Sequence, residues 1–187
     1  MNVLLLAVLM MGAVQGQTEV PVRTVAAVDL DRYVGDWFEI ARFPAWFQDK
    51  CVSDAMAHYA RRTDGGIDVI NRCREADGDI KVARALAKVE DTRTFSKLKI
   101  RFAPRVLSFL SSVWGNYWII GLADDYSWAV VGSPGRKYLW ILARAPQLTG
   151  EPYESALRAA RANGFDVGRL VPTRHISPLP PVSGGSR

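Results

Sequence analysis

The 187-residue sequence is short of the side chains that build metal centres and acyl-transfer sites. It holds two histidines, His58 and His175, and two cysteines, Cys51 and Cys73. So few ligands give no cluster at zinc spacing and no basis for a Ser-His-Asp constellation. No Gly-rich loop follows a strand and opens a helix, which excludes the usual phosphate cradle. No catalytic residue, no metal and no cofactor is therefore expected. The apolar run Val3 to Met11 is too short to span a bilayer as a helix. The basic excess, a net charge of +5, is not gathered into one block. Dispersal of that kind argues against a nucleic-acid groove and permits attraction to anionic lipid headgroups.

What is present is an ordinary globular composition, 49% hydrophobic and 23% charged, enough for one domain with a substantial core. The apolar run and the small residues Gly12 to Gly16 read as a secretory signal over 1–16. A buried N-terminal helix is the alternative reading. No cysteine follows that run, so a lipid anchor is not expected. Residues 17–28 form a polar lead-in, 29–176 a barrel and helix, and 177–187, rich in Pro, Ser and Gly, a disordered tail. An even cysteine count in an exported chain favours a Cys51–Cys73 disulfide, worth about 3 kcal/mol in the chain-entropy view.

The body of the chain reads as short strands separated by turns. Strand character runs from Tyr33 to Arg42, Cys51 to Arg61, Ile67 to Arg74 and Ile80 to Val89, with a clear hairpin turn at Thr63-Asp64-Gly65-Gly66. Leu98 to Phe102 alternates strictly, and Tyr117 to Leu122, Ser127 to Gly132 and Tyr138 to Arg144 complete the set. Regular spacing and hairpin turns predict a sandwich or an up-and-down barrel. One amphipathic helix follows, with Tyr153, Ala156, Leu157 and Ala160 on one stripe between Glu151-Pro152 and Gly164.

Three stretches carry a family likeness: Gly35-Asp36-Trp37-Phe38-Glu39-Ile40-Ala41-Arg42, Asp125-Tyr126, and Tyr138-Leu139-Trp140-Ile141-Leu142-Ala143-Arg144. Asn163-Gly164-Phe165-Asp166 adds a fourth. In this order and spacing the chain resembles the lipocalins, and most nearly the bacterial outer-membrane lipocalins and apolipoprotein D. The likeness covers about Leu30 to Pro172. It implies a mainly β fold, an eight-stranded antiparallel up-and-down barrel with one C-terminal helix outside. It further implies that Trp37 plugs the closed end with Arg144 across its ring, and that the cup takes fatty acids, lysophospholipids or similar molecules. Asp124 stands where the family usually has Thr, which alters only a turn.

Strand alternation then assigns faces. Trp118, Ile120 and Leu122 are taken as inward, with Tyr138 and Trp140 sharing the parity of Arg144, and Leu98, Ile100 and Phe102 forming an apolar wall. Tyr59, Asn71 and Tyr138 supply polar contacts, so the expected ligand-binding set is Tyr59, Asn71, Ile100, Phe102, Trp118, Ile120, Tyr138 and Trp140. Glu39 is an inward carboxylate that must pair with an Arg or a buried Tyr, unless a bulge turns it to solvent. At the open mouth stand Trp46, Phe47, Leu107, Phe109 and Trp114. They either contact a membrane or a second copy, or fold over and close the cup. A symmetric hairpin would set Cys51 opposite Asp77 or Gly78, so the disulfide needs a bulge or a Cys51 lying before its strand.

Three functions compete. The first is a non-catalytic carrier or store of lipid in the cell envelope, periplasmic or outer-membrane-associated, monomeric or weakly dimeric, with no nucleic-acid partner. The second is an enzyme on the same fold, using Cys51, Cys73, Glu39 or Tyr138. The third is an envelope component that associates with membrane through its rim.

Overall fold

The computed structural model describes residues 20–102 and 114–177, together with Leu179 and Val182. Eight strands follow one another: β1 (Gly35–Arg42), β2 (Ser53–Arg61), β3 (Ile67–Arg74), β4 (Ile80–Val89), β5 (Lys97–Arg101), β6 (Gly115–Leu122), β7 (Trp128–Gly132) and β8 (Leu139–Ala143). Each pairs antiparallel with its neighbour in sequence, and β1 pairs with both β2 and β8, so the sheet closes on itself. Closure removes the exposed edges that an open sheet would offer to aggregation.

The helix α2 (Gly150–Ala162) lies outside the barrel on β6 and β7. Ala156, Leu157 and Ala160 are its buried stripe. They join Phe43, Ile120, Val130, Leu139, Ile141 and Phe165 in a second apolar cluster outside the sheet. Gly121 is what lets the helix come so close: a Cβ there would stand 2.8 Å from the Ala159 side chain. A short helix not anticipated from the sequence, α1 (Leu30–Tyr33), precedes β1, with Asp29 capping its first turn through hydrogen bonds from Asp31 and Arg32.

The closure between β1 and β2 is incomplete. Only Gly35 to Phe38 pair with β2. A bulge between Glu39 and Ala41 then swings the strand, and its second half pairs with β9 (Val171–Pro172) instead. The chain after β9 runs on into the gap, where the Thr173 N–H donates to the Ile40 carbonyl and the Asp54 N–H to that of Arg174.

Candidate functional site

The loops β1–β2, β3–β4 and β7–β8 lie at one end of the barrel, and the closed end is built around Trp37. The Arg144 guanidinium lies 3.8 Å from the centre of the Trp37 ring. Its Nη2 donates to the carbonyls of Arg32, Tyr33 and Val34, and Nη1 to that of Asp36. Those first three carbonyls are at the C-terminal end of α1, which a cation complements. Gly35, with φ +98°, lets the chain turn there under the guanidinium.

Above this clasp three tyrosines meet inside the barrel. The Tyr117 hydroxyl lies 2.8 Å from that of Tyr33 and 2.9 Å from that of Tyr59. Burial holds all three phenols above their ordinary pKa, Tyr59 at about 12. Their hydroxyls are thus satisfied by one another while their rings pack with Trp37, at 5.1 Å between the centres of Tyr33 and Trp37.

Around these residues the walls differ in bulk. Register puts Trp37, Ala57, Asn71 and Ala83 in one row and Tyr59, Val69 and Ala85 in the next. The β4 stretch is therefore lined with alanines, Ala83, Ala85 and, closer to the floor, Ala87. Asn71 sits among them, its Oδ1 buried and without a hydrogen-bond partner among the described residues. The opposite wall carries Tyr117, Ile119, Val131, Trp140 and Leu142.

Two expected wall residues face the other way. Trp118 and Ile120 pack on the outer cluster beside α2, and Tyr117 and Ile119 point inward in their place. A bulge between Ile119 and Gly121 then returns Leu122 to the interior, as expected. The segment is apolar on both faces because the helix buries the outer one, so alternation alone could not choose between them. Ile100 faces inward, while Phe102 lies just beyond β5 and is exposed.

Glu39 does turn inward, and it is paired. Its Oε1 accepts from Arg42 Nη1 at 2.8 Å and from the Thr173 hydroxyl at 2.6 Å, and Oε2 accepts from Gln48 at 2.7 Å. Gln48 Oε1 in turn accepts from the Trp140 indole N–H at 3.0 Å. This network ties three elements together: the β1–β2 loop, β8 and the segment after β9. Gln48 and Thr173 carried no signal in the sequence, since only the bulge in β1 and the late return of the chain bring them to Glu39.

At the mouth the aromatic residues divide. Phe47 closes onto Tyr138 at 5.6 Å and onto Trp140 at 6.4 Å, and those two rings stack on each other. Trp46 points into solvent, 76% exposed. Trp114 is not a free rim residue. Lys88 lies 4.3 Å from its ring centre and Arg101 lies 5.1 Å away, on the outer face of the sheet. Leu107 and Phe109 lie outside the described residues, as do the signal and most of the tail. Of that tail, Leu179 is described and buried.

The loop is pinned by the Cys51–Cys73 disulfide, with Cα atoms 5.5 Å apart. The register that seemed to forbid it is broken as required: Cys51 lies before β2, and a bulge falls between Ser53 and Met56. Asp54 occupies that bulge at φ +55°. Its Oδ1 accepts from the backbone N–H groups of Ile176 and Ser177, and Oδ2 from the Ser53 hydroxyl and Arg74 Nε. Burial alone would raise its pKa, but these hydrogen bonds outweigh it and hold the carboxyl below its usual value.

A closed antiparallel barrel with a clasped floor, a lined interior and a looped mouth defines a cup-shaped binding protein. The lipocalin-like domain family matches residues 28–175, and the chain belongs to the lipocalin family. It is 34% identical to temperature-induced lipocalin-1 of Arabidopsis thaliana, over 85% of each chain. It is 36% identical to the outer membrane lipoprotein Blc of Escherichia coli K12, over 81% of this chain and 83% of that one. Apolipoprotein D of Mus musculus is 29% identical over 78% and 76%. Among solved structures, insecticyanin of Manduca sexta superposes with a TM-score of 0.65 at 19% identity, covering 83% and 85% of the two chains. That likeness is one of fold.

Proposed function

We propose that this lipocalin carries or stores a single-chain lipid, a fatty acid or lysophospholipid, in the cell envelope and performs no chemistry on it. The observation that carries this reading is the asymmetry of the cup. Alanines, Ala57 of β2 and Ala83, Ala85 and Ala87 of β4, share the interior with aromatic and branched side chains of β6–β8, and Asn71 offers one buried acceptor with no partner among the described residues. A cup of that kind favours an apolar chain with a polar end, each methylene moved out of water contributing about 0.8 kcal/mol before ordering costs. The disulfide supports an exported location, periplasmic or at the outer membrane. It also uses both cysteines of the chain, which leaves the enzymatic alternative without a free thiol.

The test is native mass spectrometry of the purified protein with organic extraction of what accompanies it. About one lipid per chain, on a protein two hydrogens lighter than its reduced form, is the expected result. An empty chain that takes up no added fatty acid or lysophospholipid overturns the proposal.

A further inference from the structure

The helix covers the barrel on one side only. On the far side no helix among the described residues packs on β4, and Arg84 and Lys88 are exposed on its outer face. Alternation assigns that face. Ala85, Ala87, Leu98 and Ile100 are inward, so Arg84, Lys88, Lys97 and Lys99 are outward, Arg84 and Lys88 exposed and the two β5 lysines partly so, whereas Arg101 and Arg72 share that parity but are buried. The acidic residues sharing the face are few: Asp68, bonded to Arg62, and Glu90, bonded to Lys99 at 2.8 Å. The positive charge that looked dispersed along the sequence is thus concentrated in space, because every second residue of adjacent strands falls on one surface.

We propose that this outer face docks the protein on an anionic lipid surface, with the barrel lying on its side and its mouth at the membrane edge. Two observations favour lipid over nucleic acid. Val82, 49% exposed, and Ile80, 36% exposed, lie on the same face at its mouth-ward end and lead toward exposed Trp46. An apolar margin beside a cationic field suits an interface of headgroups and acyl chains. The aromatic rings that could have stacked bases already carry cations: Lys88 and Arg101 lie over Trp114, and Lys97 lies 4.5 Å from the centre of the Trp118 ring. Single-stranded nucleic acid needs such faces open.

The docking proposal stands independently of what the cup holds, and its test is arranged accordingly. The wild type and the double variant Arg84→Glu/Lys88→Glu are sedimented with vesicles of phosphatidylglycerol and phosphatidylcholine in equal parts, and with vesicles of phosphatidylcholine alone. Both positions are exposed on the sheet surface, so the variant folds, and uptake of a fluorescent fatty acid reports separately on the cup. The expected result is binding of the wild type to the anionic vesicles alone. The double reversal should weaken it at least about tenfold, since each basic side chain near such a surface contributes about 1 kcal/mol. Equal binding to both vesicles, or an unweakened variant, overturns the proposal. So does a wild type that prefers a single-stranded oligonucleotide to the anionic vesicles.

Discussion

Arg144 serves four carbonyls and one indole face, so its loss removes several interactions at once. Arg144→Met keeps apolar cover over Trp37 but removes the guanidinium donors from the end of α1. We expect a loss of about 2–4 kcal/mol in urea unfolding, at the upper range for one side chain because four carbonyls lose a donor at once, of which that of Tyr33 keeps the Trp37 indole N–H. The tyrosines differ in kind, since they are neutral and depend on one another. Their phenols titrate above their ordinary pKa in the folded state, Tyr59 at about 12. The unfolded chain therefore releases these protons first as pH rises past about 10. Stability is complete below that value. It falls above it by about 1.4 kcal/mol per pH unit for each tyrosine, until the folded value is passed. Base titration followed by circular dichroism should show cooperative unfolding beginning above pH 10. Tyr117→Phe, which orphans the hydroxyls of both Tyr33 and Tyr59, should cost about 1–3 kcal/mol at neutral pH.

At the scale of elements, the seam between β1 and β2 is where the barrel depends on a segment far away in sequence. Asp54 holds it, and its backbone is in the left-handed region that Asn tolerates and Ala does not. Asp54→Ala should cost about 2–4 kcal/mol, and Asp54→Asn should cost less. In both, amide exchange at Ile176 should accelerate relative to the strands, while exchange at Trp37 follows global stability. The same seam explains what could and could not be read in advance. Strand order, the outer helix and the Trp37–Arg144 pairing rest on local patterns and a long-range motif, which a sequence displays. Bulges do not display themselves: those at Glu39–Ala41, Ser53–Met56 and Ile119–Gly121 each reset a face by one residue. Asp54 and Thr173 were missed for that reason, and Trp118 and Ile120 were placed inside because an apolar run covered on both faces has no alternation to follow.

At the scale of the whole molecule, one sheet separates two apolar clusters with different duties. The outer one, between α2 and the β6–β8 wall, is a packed core of large side chains such as Phe43, Leu139 and Ile141. The inner one packs around Trp37 and the three tyrosines, with the alanines of β4 along one side. Enlarging a side chain should therefore have opposite consequences on the two sides. Bulk added to a close-packed cluster forces strain of about 1–3 kcal/mol, whereas bulk added where the proposed ligand sits displaces it and leaves the fold intact. Ala83 faces the cup and is only half-buried; Ala156 is fully buried beneath α2. Ala83→Phe should lower affinity for a fatty acid at least about tenfold, as the displaced methylenes imply, while leaving the thermal midpoint of the empty protein nearly unchanged. Ala156→Phe should lower that midpoint and leave the affinity of the folded fraction alone. Paired calorimetric titrations and melts separate the two effects. If Ala83→Phe melts early and still binds, the room for ligand is not on the β2–β4 side, and the polar network around Glu39 and Gln48 becomes the boundary of a different cavity.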